Sequence, residues 1–146
     1  MPKYLADFIE QLKKLSFNIH SKLAKLFFSI LDHELYDEQQ SMTFEHLLLA
    51  TTLFKTASSI SNEKDLRLYE PFLDRMYQDA KHEKKIILYQ WWTGFWIITG
   101  TRFQNIARDH IEQFLDYTLN RKEMNLVGLL IVSLFDLETF INIDML

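Results

Sequence analysis

The strongest structural signal in the sequence is LADFIEQLKKLSFNIHSKLAKLFFSI, residues 5–30. Its apolar side chains recur every three or four residues, the repeat of one face of an α-helix. They are Leu5, Phe8, Leu12, Leu15, Ile19, Leu23, Leu26 and Ile30. The opposite face is basic and carries Lys3, Lys13, Lys14 and Lys25. This pattern predicts an amphipathic helix, although Ser16 and Asn18 are weak helix formers that allow a break near its middle.

The central part of the chain also favours helices. Thr43 is a suitable N-cap for a helix from Phe44 to about Ile60. A third helix is predicted to begin near Glu63, because acidic side chains favour the first turn. Pro71 cannot donate a hydrogen bond to the carbonyl four residues back, so it either occupies the first turn of a new helix or kinks this one. We expect a short helical turn before it. A new helix is then expected from Pro71 to about Lys81, with Phe72, Leu73, Met76 and Tyr77 turned inward.

The segment IILYQWWTGFWIIT, residues 86–99, carries two opposing signals. Its β-branched and aromatic residues are typical of a strand, whereas its length and its neighbours favour a helix, which we predict. Gly94 is expected to permit close packing and Gly100 to end the helix. Thr101 is the predicted N-cap of a helix through Leu119. A last helix, from about Lys122 to Phe140, is apolar nearly all round and is expected to be the most central element.

These elements predict an all-α fold: one compact domain over residues 1–146, built of six or seven helices. The composition agrees, because the chain is 48% hydrophobic and contains three glycines and two prolines. The absence of cysteine removes disulfides and is consistent with a reducing compartment. The predicted core draws on Leu12, Leu15, Ile19, Phe54, Phe72, Ile106, Phe114, Leu130 and Leu134.

Charge is distributed unevenly along the chain. Residues 1–31 hold five lysines against two acids, whereas the whole chain has a net charge of −4. A net negative chain is not expected to bind nucleic acid, because phosphate contacts need clustered cations. Residues 32–45, here called the acidic segment, contain five acids and no lysine or arginine. This segment is either a solvated connection between helices or a surface for a basic protein partner. Its candidate partner-binding residues are Asp32, Glu34, Asp37, Glu38 and Glu45.

Large aromatic residues are concentrated between Tyr89 and Trp96. Tryptophan and tyrosine are frequent at binding hot spots, but large aromatic side chains also dominate protein cores. We interpret the cluster as core unless one of its rings is exposed. Trp92 and Trp96 are then the candidates for contact with a partner.

Patterns typical of catalysis and of metal or cofactor binding are missing from the sequence. The five histidines lack the spacing of metal ligands, and three scattered glycines cannot form a phosphate-binding loop. No serine has the glycine-flanked setting of a nucleophile elbow. We therefore predict no catalytic, cofactor-binding or metal-binding residues and no enzymatic activity.

The function predicted from the sequence is that of a non-catalytic protein-binding module. A specific version is an immunity or inhibitor protein that neutralises a basic partner by charge complementarity. It is expected to be cytoplasmic, since the N-terminus lacks the apolar region of a secretory signal. The alternatives are a protein held at a membrane surface by its basic first helix and a small regulatory subunit or chaperone. Of these, membrane binding is the less expected. The oligomeric state stays open.

Overall fold

The structure, a computed structural model, describes residues 3–14, 19–32, 44–83 and 86–120, together with Gly128. Within these ranges the chain forms six helices and no strand, which confirms the all-α prediction. The helices are α1 (Lys3–Lys14), α2 (Ile19–Asp32), α3 (Phe44–Ser59), α4 (Glu63–Glu83), α5 (Ile86–Thr99) and α6 (Gln104–Asn120). The N-terminal helical pattern thus corresponds to α1 and α2. The predicted helix at 122–140 lies outside the described residues except for Gly128, which is helical.

Helix α5 lies at the centre of the described bundle, where it packs against α3, α4 and α6. Its residues Leu88, Trp92, Phe95 and Trp96 are almost completely buried. A helix that is apolar on all sides is stable only when its neighbours cover every face. This burial explains why residues 86–99 form the predicted helix in spite of their strand-forming side chains.

Helices α2 and α4 are joined by aromatic packing and one buried polar contact. Phe27 of α2 lies between Tyr69 and Phe72 of α4, with ring centroids 6.3 and 5.3 Å away. Beside them, Nδ1 of His20 is 2.8 Å from the hydroxyl oxygen of Tyr69, and both residues are buried. The hydrogen bond pairs two polar groups that would otherwise oppose burial. It therefore fixes the register between the two helices.

The break predicted before Pro71 is wrong, because α4 runs without interruption from Glu63 to Glu83. Pro71 and Arg67 are both exposed, so the Arg67 carbonyl that loses its helical hydrogen bond lies on the solvent side. Water can therefore satisfy that carbonyl. The Arg67 guanidinium also donates to the carboxylates of Glu63 and Glu70, one turn away in each direction. These ion pairs support the turns before the proline.

The prediction that Thr101 is the N-cap of α6 is wrong. The first helical hydrogen bond of α6 runs from the Ala107 N–H to the Phe103 carbonyl, 3.0 Å away, so Phe103 occupies the N-cap position. The Thr101 hydroxyl instead donates to the Ile98 carbonyl at 2.9 Å and closes the end of α5. Gly100 ends α5 as predicted. A Cβ there would lie 3.0 Å from the Trp96 carbonyl oxygen and 3.3 Å from the Ala107 Cβ, so the turn has little room for a side chain.

The predicted core is confirmed in part. Ile19, Phe72 and Phe114 are buried. Leu12, Phe54 and Ile106 are half-buried. Leu15, Leu130 and Leu134 lie outside the described residues. The four side chains predicted to turn inward from α4 do so: Phe72, Leu73 and Met76 are fully buried, and Tyr77 is half-buried.

Candidate interaction surface

The predicted acidic surface falls almost entirely outside the described residues. Asp32 is the last residue of α2 and Glu45 the second residue of α3, but the structure describes neither side chain. Glu34, Asp37 and Glu38 lie in the connection between these helices, outside the described ranges. The role of these five acids in partner binding stays a prediction.

Trp92 and Trp96 belong to the core. Only 1% of Trp92 and 0% of Trp96 are exposed, because α3, α4 and α6 enclose the helix that carries them. The Trp92 ring stacks on Tyr77 with centroids 4.7 Å apart, and Trp96 stacks on His110 at 4.0 Å. Since neither ring is exposed, the condition under which they would mark a partner surface is not met.

His110 links α6 to α4 and α5. Its imidazole lies nearly parallel to the Trp96 ring, and its Nε2 is 3.7 Å from an oxygen of Glu70. Burial raises the pKa of the nearby Asp74 carboxyl; His110 opposes this shift and Glu70 adds to it. No three His, Asp or Glu side chains come together as a metal site in the part of the chain that the structure describes. The contacts shown for His110 therefore assign it a packing role.

The indole Nε1 atoms of Trp92 and Trp96 are buried, and neither has a hydrogen-bond partner among the residues that the structure describes. An unsatisfied buried donor costs about 1–3 kcal/mol of stability. The extensive ring contacts of the two tryptophans offset that cost, because large aromatic side chains contribute strongly to burial energy.

A second polar cluster lies at the N-terminal end of α4. Nε2 of His20 is 4.0 Å from a carboxylate oxygen of Asp65, and Nδ1 of the same ring contacts the Tyr69 hydroxyl. Burial, followed by the charge of Asp65, raises the pKa of Tyr69. The Asp65 carboxylate, the His20 imidazole and the Tyr69 hydroxyl follow one another in space in the same order as the groups of a catalytic relay. The resemblance does not extend beyond that order. Tyr69 is fully buried, so no substrate can reach its hydroxyl, and the cluster stabilises the α2–α4 contact.

The most exposed large apolar side chains lie on α1. Tyr4 is 66% exposed and Phe8 is 60% exposed, and we call them the α1 aromatic pair. They are four residues apart, so they lie one turn apart on the same face of the helix. Ile9 of the same helix is only 3% exposed, and α1 packs chiefly on α3. Among the described helices, α3 thus covers part of the apolar face of α1, and the aromatic pair stays exposed.

This pair was not predicted to form a surface, because the apolar repeat placed Phe8 on the inner face of the helix and did not include Tyr4. A signal was nevertheless present. Tyr4, Phe8, Leu12 and Ile9 together span an arc of about 140° around the helix at 100° per residue. An arc of about 140° is wider than the stripe of about 100° that is typical of a surface helix packed on a core. Leu12, near the middle of the arc, is half-buried, in agreement with partial coverage.

The charged side chains around the pair have both signs. On α1, Lys3, Lys14, Asp7 and Glu10 are exposed. The polar surroundings of the aromatic pair are therefore mixed in charge and not uniformly basic.

None of the helices in the described ranges combines the length and the apolar character needed to cross a bilayer. Comparison of the chain with models of protein families, with curated proteins and with solved structures gives no match, so its function has to be inferred from its own side chains.

Proposed function

We propose that the chain is a non-catalytic protein-binding module that contacts its partner through the α1 aromatic pair. The observation that supports this is the exposure of Tyr4 and Phe8, 66% and 60%, on one face of an otherwise packed helix. Aromatic anchors of this kind supply much of the energy of protein interfaces. Transfer of a phenylalanine side chain from water to an interface is worth about 1.5–3 kcal/mol. A partner with an apolar groove or a helix face can cover both rings at once.

The acidic segment adds a second element to this proposal. Five carboxylates without a neighbouring lysine or arginine favour a partner with a basic surface. Charges of this kind act mainly on the rate of association, whereas buried aromatic anchors act on the lifetime of the complex. An immunity or inhibitor protein that blocks a basic target needs both properties. Regulatory subunits and chaperones belong to the same protein-binding class, and identification of the partner would separate them.

Attachment to a membrane surface is the second candidate. The exposed Tyr4 and Phe8 on a helix that also carries exposed Lys3 and Lys14 favour it, because interfacial helices combine aromatic and basic side chains. Against it, Asp7 and Glu10 are exposed on the same helix and would be repelled by an anionic lipid surface. Because α1 carries exposed charges of both signs, it is better matched by the surface of a protein than by a uniformly anionic lipid surface. We therefore favour the protein partner.

Affinity capture from an extract of the native cell tests the proposal. The immobilised wild-type chain is compared with a Tyr4→Ser/Phe8→Ser variant, and bound proteins are identified by mass spectrometry. Leu119→Ser is the matched control, because Leu119 is a similarly exposed apolar residue, at 59%, on α6. We expect a protein that the wild type and the control retain and the double variant loses.

Two results would contradict the proposal. One is a partner bound equally by all three chains, since the α1 aromatic pair would then have no role in the contact. The other is cosedimentation of the wild type with phosphatidylserine vesicles that is lost in the double variant, with no protein captured. The second result would favour the membrane-surface function instead.

A further inference from the structure

The ammonium group of Lys81 lies in a corner formed by two tyrosine rings. Its Nζ is 4.7 Å from the centre of the Tyr77 ring and 5.0 Å from the centre of the Tyr117 ring. The two rings are 6.4 Å apart and inclined at 75° to each other. Both distances are within the range of cation–π attraction. Residues from α4 and α6 thus form two walls around a cation, which we call the Tyr77–Tyr117 corner.

The Tyr77 wall of the corner is held in place from behind. Tyr77 stacks on Trp92, at 4.7 Å and 18°, so the Lys81 ammonium must lie over its other face. Tyr89 and Phe114 meet Tyr77 in T-shaped contacts at 6.0 and 6.2 Å. Because Trp92, Tyr89 and Phe114 are buried, the ring has little freedom to turn. A cation that enters the corner therefore meets an aromatic face that is already oriented.

The corner borders solvent and attracts cations through its ring faces. Tyr77, Tyr117 and Lys81 are all half-buried. Burial, followed by the proximity of Tyr117, raises the pKa of Tyr77 to about 12, so its phenol is neutral at physiological pH. The attraction then comes from the negative face of the aromatic ring and not from a phenolate charge.

We propose that the Tyr77–Tyr117 corner is a binding site for an alkylammonium ligand, with the side chain of Lys81 as its resident occupant. Perpendicular aromatic walls around a cation are the arrangement by which proteins recognise quaternary ammonium groups. A quaternary ammonium has no N–H groups and gives up little hydration on entering, whereas a lysine ammonium is strongly hydrated. The corner is consequently better suited to the ligand than to its occupant. The alternative is that Lys81 serves only to link α4 to α6. In that case the corner should not bind an alkylammonium ligand.

Competition with Lys81 sets the affinity expected in the wild type. The two ring contacts of Lys81 together leave the corner unoccupied for roughly 3–15% of the time. The apparent affinity for a ligand falls to that fraction of its intrinsic value. Replacing Lys81 by alanine should therefore strengthen alkylammonium binding about six- to thirtyfold. Loss of the Tyr117 ring should then weaken it again by about two- to fivefold.

The experiment is a titration of the full chain with tetramethylammonium chloride. Wild type, Lys81→Ala, Lys81→Gln and Lys81→Ala/Tyr117→Leu are compared, and the signals of isotope-labelled tyrosine rings are followed by NMR. Sodium chloride at equal ionic strength is the control for salt effects, and circular dichroism checks that each variant keeps the wild-type helix content. Lys81→Gln removes the charge while it keeps a long side chain, so one of the two single variants provides the test if the other fails to fold.

We expect saturable shifts that are strongest in the single variants, weaker in the wild type and reduced by Tyr117→Leu. Shifts that match sodium chloride in both single variants would overturn the proposal and leave Lys81 as a tie between the helices. Equal affinity with and without the Tyr117 ring would also overturn it. Parallel titrations with choline and with the amide of Nα-acetyl-trimethyllysine distinguish a small metabolite from a modified side chain of a protein as the source of the ammonium.

Discussion

Gly94 of α5 lies against Phe54 of α3, so the addition of one carbon atom at this position tests how closely the two helices pack. A Cβ at this position would lie 2.6 Å from Cε1 and 2.7 Å from Cζ of Phe54. Carbon atoms in contact prefer separations of about 3.5–4.0 Å, so the ring would have to move by roughly 1 Å. The backbone at Gly94 has no positive φ, and an alanine there introduces no backbone strain. The whole unfavourable effect of Gly94→Ala must therefore come from the displaced ring.

The magnitude follows from two opposing effects. Overpacking of a tight contact costs about 1–3 kcal/mol, and replacement of glycine by alanine within a helix returns up to about 1 kcal/mol. The atoms that clash are the far end of a half-buried side chain, which can give way in part. We expect Gly94→Ala to lower the free energy of unfolding by about 0–2 kcal/mol. With Phe54 shortened to leucine, the same change should be neutral or stabilising, because the atoms that clash are gone.

Equilibrium unfolding in urea of the wild type, Gly94→Ala, Phe54→Leu and the double variant measures this coupling. A positive interaction energy of about 1 kcal/mol between the two positions is the expected result. If the two substitutions changed the free energy of unfolding additively, the reasoning would be refuted, because a Cβ at position 94 would then not meet the Phe54 ring. A Gly94→Ala variant that gained the full stabilisation of about 1 kcal/mol in the wild-type background would refute it as well.

Three further changes test the core and its charges. Phe114→Ala should lower the free energy of unfolding by about 3–5 kcal/mol, whereas Leu119→Ala on the same helix should change it by less than about 0.5 kcal/mol; equal urea midpoints would contradict the burial of Phe114. Tyr69→Phe removes the hydroxyl that contacts His20 and should cost about 1–3 kcal/mol by the same assay, and a neutral effect would show that this contact contributes nothing. Asp74→Asn should stabilise the protein slightly at pH 7, because burial raises the pKa of the Asp74 carboxyl and its ionised form opposes folding. That gain should shrink as the pH falls through the raised pKa and vanish once the carboxyl is protonated in both states; a gain that persists in acid would contradict this origin.

The helices could be predicted from the sequence because each depends mainly on its own residues. Apolar spacing identified α1 and α2, and the length and neighbours of residues 86–99 outweighed their preference for strands. The errors came from positions where the outcome depends on surroundings. Pro71 was expected to interrupt α4 because the sequence does not show that the carbonyl it frees faces solvent. Thr101 is a good capping residue, but the chain turns so that its hydroxyl reaches the end of α5 instead.

The candidate surface was harder to predict than the fold, since exposure depends on how many neighbours each helix has. An apolar repeat shows that a helix has a face to bury, and it does not show whether one partner or two will cover it. Helix α1 packs chiefly on α3, and the width of its apolar arc then leaves Tyr4 and Phe8 in solvent. By the same logic, α5 packs against three of the described helices, and its three tryptophans are buried.

The Tyr77–Tyr117 corner could be predicted only in part from the sequence. Lys81 and Tyr77 are one turn apart on α4, so their contact follows from the helix alone. The second wall comes from Tyr117, which is distant in sequence and meets them only because α6 and α4 both lie against α5. The buried aromatic cluster therefore does more than fill the core. By holding Tyr77 in place through Trp92, the cluster keeps an oriented ring face at the surface, and this contact joins the packing of the bundle to the proposed alkylammonium site.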